Sequence, residues 1–194
     1  MEHPTAQAVT TRDEDRVVGT ITVAFVADPA MRWIYPGPAQ YLAGFPKLVR
    51  ALGRGAFEKG SAHQASEFAG VAIWLRPGVH PDQVLLGQVI ESTVDAQQAP
   101  SVLEVLEELD RWHPREPHWY LAFIGVDTPR QREGLGSLLL RHALRQVDEE
   151  HAPAYLETAN PGNIPLYSRH GFELAATVNL PSAPALFPMV RPGR

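Results

Sequence analysis

The run WYLAFIGV, Trp119 to Val126, leads through DTPRQREGLG into SLLLRHALRQV, and this junction constrains the fold more than any other stretch. The first segment reads as a buried strand. The last repeats apolar residues at Leu135, Leu138, Leu139, Ala143 and Val147, with a narrow polar stripe at Ser137, Arg141, Arg145 and Asp148, which predicts a largely buried helix. Gly134 and Gly136 sit where the strand gives way to that helix. A helix start exposes N–H groups without carbonyl partners at the positive end of the dipole, so an anion can bind there without a side-chain charge. Glycine lets such a ligand come close. A glycine-eased turn into a buried helix explains the pair as well, with no ligand at all.

Known phosphate loops narrow the choice. A P-loop needs Lys and then Ser/Thr directly after its last glycine, whereas Ser137 and Leu138 follow Gly136, so a nucleoside-triphosphate cradle is excluded. The dinucleotide form needs a third glycine where Leu139 stands. A third pattern, Gln/Arg-x-x-Gly-x-Gly/Ala after a strand, is met by Gln131, Gly134 and Gly136. A second motif, ETANPGNIPLYSRHGFE, follows about 20 residues on. There Asn163 can cap a helix, Pro165 suits its first turn, and Gly171 suits a left-handed stop. Capping accounts for Asn163 and Gly171 but does not require Tyr167.

On these two motifs the chain resembles the GNAT superfamily of acetyl-CoA-dependent N-acetyltransferases, and within it the puromycin N-acetyltransferase group. The likeness is dense from Glu116 to Val178 and thinner through AIWLRPG and MVRPG. It implies an α/β fold with a central, mixed, mostly antiparallel sheet flanked by helices on both faces. It also implies one domain, with residues 1–117 on the acceptor side and 118–194 binding acetyl-CoA. Pantetheine would lie along the Ile124, Gly125 and Val126 edge, and backbone N–H groups of Gln131, Arg132, Glu133, Gly134, Leu135, Gly136 and Ser137 would hold the pyrophosphate. Asn163 would bond the pantetheine arm, and Tyr167 would point its hydroxyl at the sulfur. Related loops commonly carry glycine and then a basic residue at the places held here by Arg132 and Glu133. A carboxylate beside a pyrophosphate is unfavourable unless it faces solvent or pairs with Arg130 or Arg132. Glu133 is therefore expected to face outward.

Acetyl transfer needs a neutral amine near the thioester carbon, a donor for the carbonyl oxygen and stabilisation of the departing thiolate. A backbone N–H near Val126 suits the oxygen. A phenol titrates near 10 and a thiol near 8.5, so full proton donation by Tyr167 is uphill by about 2 kcal/mol, and hydrogen bonding to the thiolate is its role. Glu157 and His118 are the candidate bases. Glu157 could equally pair with an arginine and His118 could be a solvated strand end, while a water relay or an already neutral amine needs neither. By analogy with relatives, Asp28, Trp33, Tyr35, Trp74 and Glu91 are candidates for the acceptor pocket, although loop and core roles fit each of them as well.

Composition sets the remaining bounds. A chain of 194 residues, 44% hydrophobic, fits one full-sized core. The formal charge of -5, with no dense Lys/Arg run, argues against nucleic acid and mildly suits a cationic amine. VVGTITVAFVA is too short and too interrupted for a membrane helix, and MEHPTAQAVTTRDEDR does not read as a secretory signal. Without cysteine there is neither a disulfide scaffold nor a thiolate nucleophile, and a cytoplasmic home is expected. Eight histidines without ligand spacing predict no metal site, and Ser137 lies outside G-x-S-x-G. The expected partner is a small-molecule amine, with a homodimer left open. A non-catalytic acyl-CoA sensor is the rival to an enzyme, and Tyr167 favours the enzyme.

The expected elements begin with a strand over Ala6 to Thr10 and a helix from Thr11 that ends before Pro29. Loops around a short helix fill Asp28 to Pro46, and FPKLVRALGRGAFEKG is the next helix. EFAGVAIWLRPG supplies a strand pair or hairpin ending at Pro77, and helices follow at PDQVLLGQVIEST and PSVLEVLEELDRWHP, where LEVLEELD is a solvated helix face with apolar backing. After Pro117 come strand, helix, the strand PAYLET, a short helix near NIPLYSRH, and closing strands in FELAATVNL and ALFPMVR.

Overall fold

Five of the six strand pairings are antiparallel, and the one parallel pair is joined by the helix after the twin glycines, since a parallel connection needs a crossover. The computed structural model describes residues 5–194. In chain order these are β1 (Ala6–Ala8), α1 (Glu14–Ala24), α2 (Pro29–Ile34), α3 (Pro38–Lys59), β2 (Ala62–Ala65), β3 (Gly70–Leu75), α4 (Gln83–Thr93) and α5 (Ala99–Asp110). Then come β4 (Trp119–Val126), α6 (Leu135–Glu149), β5 (Ala154–Thr158), α7 (Ile164–Arg169), β6 (Glu173–Leu174) and β7 (Phe187–Arg191). The seven strands form one mixed sheet in the order β1-β2-β3-β4-β5-β7-β6.

Helices cover both faces. On one side α1, α3 and α4 bury Ile21, Tyr41, Phe45 and Ile90 against Ile73 and Phe123. On the other, α6 buries Leu139, Leu140 and Val147 against Trp74, Trp119 and Leu156. Gly125 lets α1 lie directly on β4: a Cβ there would come within 2.8 Å of the Ala24 Cβ. Removing that much apolar surface from water is what holds the layers together.

The pairing between β4 and β5 positions the site. The two strands are in register only at Trp119 with Ala154 and Tyr120 with Tyr155. Each is committed elsewhere: β4 pairs with β3 from Tyr120 to Val126, and β5 pairs with β7 along its whole length. The register with β3 shifts between Ile73 and Trp74, leaving Ala122 as an extra residue on β4, and such a bulge bends the strand that carries it. Beyond Tyr120 the two strands part, and the β4 edge toward β5 is left without a strand partner among the described residues.

Three expectations need correction. Residues 38–59 form one helix, not a loop followed by a helix, and Pro46 lies inside it. Pro38 supplies a ready first turn, and the buried stripe of Tyr41, Phe45, Leu48 and Val49 runs past Pro46 on the core side. The carbonyl that Pro46 leaves unpaired belongs to exposed Leu42, where water can serve it. The segment from Glu67 to Ala69 is the hairpin turn, not a strand: Ser66, Glu67 and Phe68 all have positive φ, and β2 precedes them. In FELAATVNL only Glu173 and Leu174 pair as a strand, with a single bridge at Val178 and Leu186.

Candidate functional site

The gap between β4 and β5 opens into a cavity of about 900 Å³. Its donor end is built of backbone. A tight 3-10 turn at Thr128–Arg130 leads into a loop in which Arg132 has φ 67° and Gly134 has φ 85°. Glycine suits that second position because a side chain is strained there. The first closing bond of α6 is Leu138 N–H to the Gly134 carbonyl at 2.9 Å. Among the described residues, the N–H groups of Arg132, Glu133, Gly134, Leu135, Gly136 and Ser137 have no hydrogen-bond acceptor. At Gly136 an added Cβ would meet only the Leu166 side chain, at an ordinary 3.6 Å, so packing does not demand a glycine.

The structure brings nearly all of the expected donor-side residues to this cavity. Ile124, Gly125, Val126, Gln131, Arg132, Gly134, Leu135, Gly136, Ser137, Asn163 and Tyr167 line it, and Glu133 does not. Glu133 is half exposed and its Oε2 lies 2.7 Å from Arg130 Nε. The Asn163 side chain makes no cap bond; the cap of that turn is Asn160, whose Oδ1 accepts from Gly162 N–H at 2.9 Å. Capping therefore does not account for Asn163.

Tyr167 is buried on α7, edge-on to Phe172 with centroids 6.2 Å apart, and its hydroxyl has no hydrogen-bond partner among the described residues. Burial, then the fields of Asp28 and Glu157, push its pKa well up, so it stays protonated and keeps a proton to donate in a hydrogen bond. Glu157, on β5, lines the same cavity. Its Oε1 accepts from the Tyr120 hydroxyl at 2.5 Å, while Oε2 is buried without a partner. Burial raises its pKa to about 7 against the opposing pull of the Tyr120 bond. A carboxyl poised near neutrality with one free oxygen can take a proton.

Three side chains lie elsewhere. His118 does not line the cavity; its Nε2 is 3.0 Å from His113 Nδ1 and its Nδ1 is 2.9 Å from the Glu116 carbonyl. Trp74 is fully buried edge-on against Trp119, and Glu91 is exposed on α4. Asp28, Trp33 and Tyr35 do line the cavity. Sequence reasoning missed Tyr120, which holds Glu157. Tyr155 and Glu157 share a face of β5 by alternation, but only the register of Tyr120 opposite Tyr155 puts the phenol beside the carboxylate. It also missed the apolar wall from α5 and Leu186. Among the described residues, no group of three or more His, Cys, Asp or Glu is placed to hold a metal ion, and no helix is long and apolar enough to cross a membrane.

Comparison with known proteins agrees with this geometry. The profile of the acetyltransferase (GNAT) family matches residues 87–172. An uncharacterised N-acetyltransferase of Schizosaccharomyces pombe is 25% identical over 195 residues, covering 90% of this chain and 76% of its own length. A Corynebacterium glutamicum structure described as histone acetyltransferase HPA2 and related acetyltransferase is 27% identical. It superposes with a TM-score of 0.70, covering 100% of this chain and 98% of that one. Arylalkylamine N-acetyltransferase 2 of Aedes aegypti, at 12% identity, shares the fold with a TM-score of 0.70 and full coverage of both chains. The splayed strand pair, the loop of free amides at the start of α6 and these likenesses together support a GNAT-type N-acetyltransferase, with the family's own profile spanning residues 87–172.

Proposed function

We propose that the protein moves an acetyl group from acetyl-CoA directly to the primary amine of a small molecule, within one domain whose 1–117 and 118–194 parts meet at the cavity. The observation that carries this reading is a single cavity lined both by Arg132 and Gly134 to Ser137, whose amides are free, and by Glu157, whose Oε2 is unpartnered. The donor set fits coenzyme A: free amides at a helix start suit a diphosphate, and packing does not account for the glycine at position 136. Bound there, acetyl-CoA supplies the acyl thioester.

The chain's own groups then divide the work. Alternate N–H groups on the free edge of β4 point away from β3 and can take the pantetheine arm and the carbonyl oxygen where charge builds. Asn163 bonds the arm. Glu157 Oε2 takes the proton of the amine, with Tyr120 holding the carboxylate in place. Tyr167 donates its hydrogen bond to the departing sulfur without giving up the proton, as its raised pKa requires. Because Glu157 must be ionised to act, kcat/KM rises with pH through about 7.

The test is to follow free-thiol release from acetyl-CoA over a panel of amines, with calorimetry of coenzyme A alongside. Binding with amine-dependent release supports the reading. Binding with no release from any amine identifies a sensor instead.

A further inference from the structure

We propose that the acceptor is an amine carried on a bulky apolar or aromatic body, and that Asp28 is the residue that recognises its positive charge. This rests on the acetyl-transfer reading above and names the substrate class for the same site.

Beyond the free edge of β4, the cavity wall is apolar. Phe25, Trp33, Leu52, Val105, Leu109 and Leu186 represent it, contributed by α2, α3, α5 and two intervening segments. Of all the lining residues only two are acids, Asp28 and Glu157. The two lining cations, Arg132 and Arg169, belong to the donor loop and α7. Neither acid has a salt bridge among the described residues. Two carboxylates in a mostly apolar pocket, neither paired with a cation, are uphill, and a substrate that brings a cation relieves the cost.

Asp28 is placed to do this. It precedes α2, where its Oδ1 accepts from Met31 N–H at 3.0 Å, so its position is fixed by the helix it caps. Burial raises its pKa, and its field reaches Tyr167 across the cavity. An ammonium drawn to Asp28 is thus held in the chamber that Tyr167 and Glu157 face. Ordinary polar amines fare worse. A polyamine or an aminoglycoside would bring several charged or hydroxyl groups against walls that offer them no partner, and each would lose its water uncompensated.

The experiment uses the whole protein with tryptamine and phenethylamine against spermidine, kanamycin and an alanine-initiated tetrapeptide. Thiol release is the readout, with coenzyme A calorimetry run in parallel. The arylalkylamines should exceed the polar amines in kcat/KM by about 100-fold. Asp28→Asn keeps the α2 cap, since Asn caps as well as Asp, and removes only the charge. It should raise the KM of the preferred amine about 10- to 100-fold, with kcat within about threefold and coenzyme A affinity and melting temperature unchanged. Polar amines used equally well, or an unchanged KM in Asp28→Asn, overturns the proposal while leaving acetyl transfer intact. Failure to bind coenzyme A, or binding with no amine consumed, overturns both.

Discussion

The two ends of the cavity are made of different material. The donor end is main chain: six free amides in one short loop, five of them on residues that line the cavity, with two glycines and a strand edge, all within residues 121–137. The acceptor end is side chain, gathered from α2, α3, α4, α5 and the segment before β7. Backbone recognition is local and needs only a conformation, so it is written in a short motif. Side-chain recognition is assembled by the fold and can differ freely between proteins that share the donor loop. The two ends should therefore answer mutation differently, with chemistry and stability in conflict at one and nearly independent at the other.

Glu157→Gln gives the largest expected effect. Gln keeps an acceptor for the Tyr120 hydroxyl but cannot take a proton, so kcat/KM should fall about 10²- to 10³-fold and lose its rise through pH 7. Stability should move the other way. The folded-state pKa of about 7 lies above the unfolded carboxyl value, so the protonated group stabilises the fold fully at low pH. That contribution drains away as pH climbs through 7. Above pH 7 the Gln variant should be the more stable by about 3 kcal/mol, and near pH 4 the two should be alike, as read by urea unfolding at each pH. Equal slopes of stability against pH in the two proteins would sink the assignment.

Tyr167→Phe comes next. Loss of one hydrogen bond to a charge forming on sulfur should cut kcat about 10- to 100-fold, with the Kd of coenzyme A within about twofold. An unreduced kcat removes the phenol from the chemistry and leaves it a core residue packed on Phe172.

The same contrast explains what could be read in the sequence. The β4-to-α6 junction, the β5 strand and the short α7 with Gly171 at positive φ stand where the motifs put them, because each depends on residues adjacent in the chain. Pro46 misled because the apolar stripe across it is a tertiary fact: burial of Phe45, Leu48 and Val49 outweighs one missing helix bond. The turn at Ser66, Glu67 and Phe68 carries no glycine or proline until Gly70, so nothing local marked it; Gln64 Oε1 steadies it by accepting from Phe68 N–H at 3.1 Å. His118 and Trp74 were plausible by residue type alone. Their neighbours, His113 for one and Trp119 for the other, are set by packing that a motif does not encode.

Gly136→Val sharpens the donor end. Since a Cβ meets only Leu166 at 3.6 Å, the fold should lose no more than about 1 kcal/mol, while the branched side chain covers the amides and weakens coenzyme A about tenfold. A variant that melts early but binds normally would mean that the glycine serves packing, and the free amides would lose their explanation.

Glu133→Lys is the smallest and tests the loop's electrostatics. The Glu133 side chain is 46% exposed and bonded to Arg130, itself 44% exposed, so the carboxylate points away from the cavity. Exchanging it for a cation breaks a surface pair worth about 0–1 kcal/mol and adds positive charge that water and salt largely screen. Stability should shift by no more than about 1 kcal/mol, and the Kd of coenzyme A at low salt by less than about threefold. A gain well beyond that, disappearing as salt is added, would mean that the carboxylate had been facing the diphosphate. In that case Arg130 would be its competitor for the ligand and not its partner, and the outward-turned loop described here would be the wrong conformation for binding.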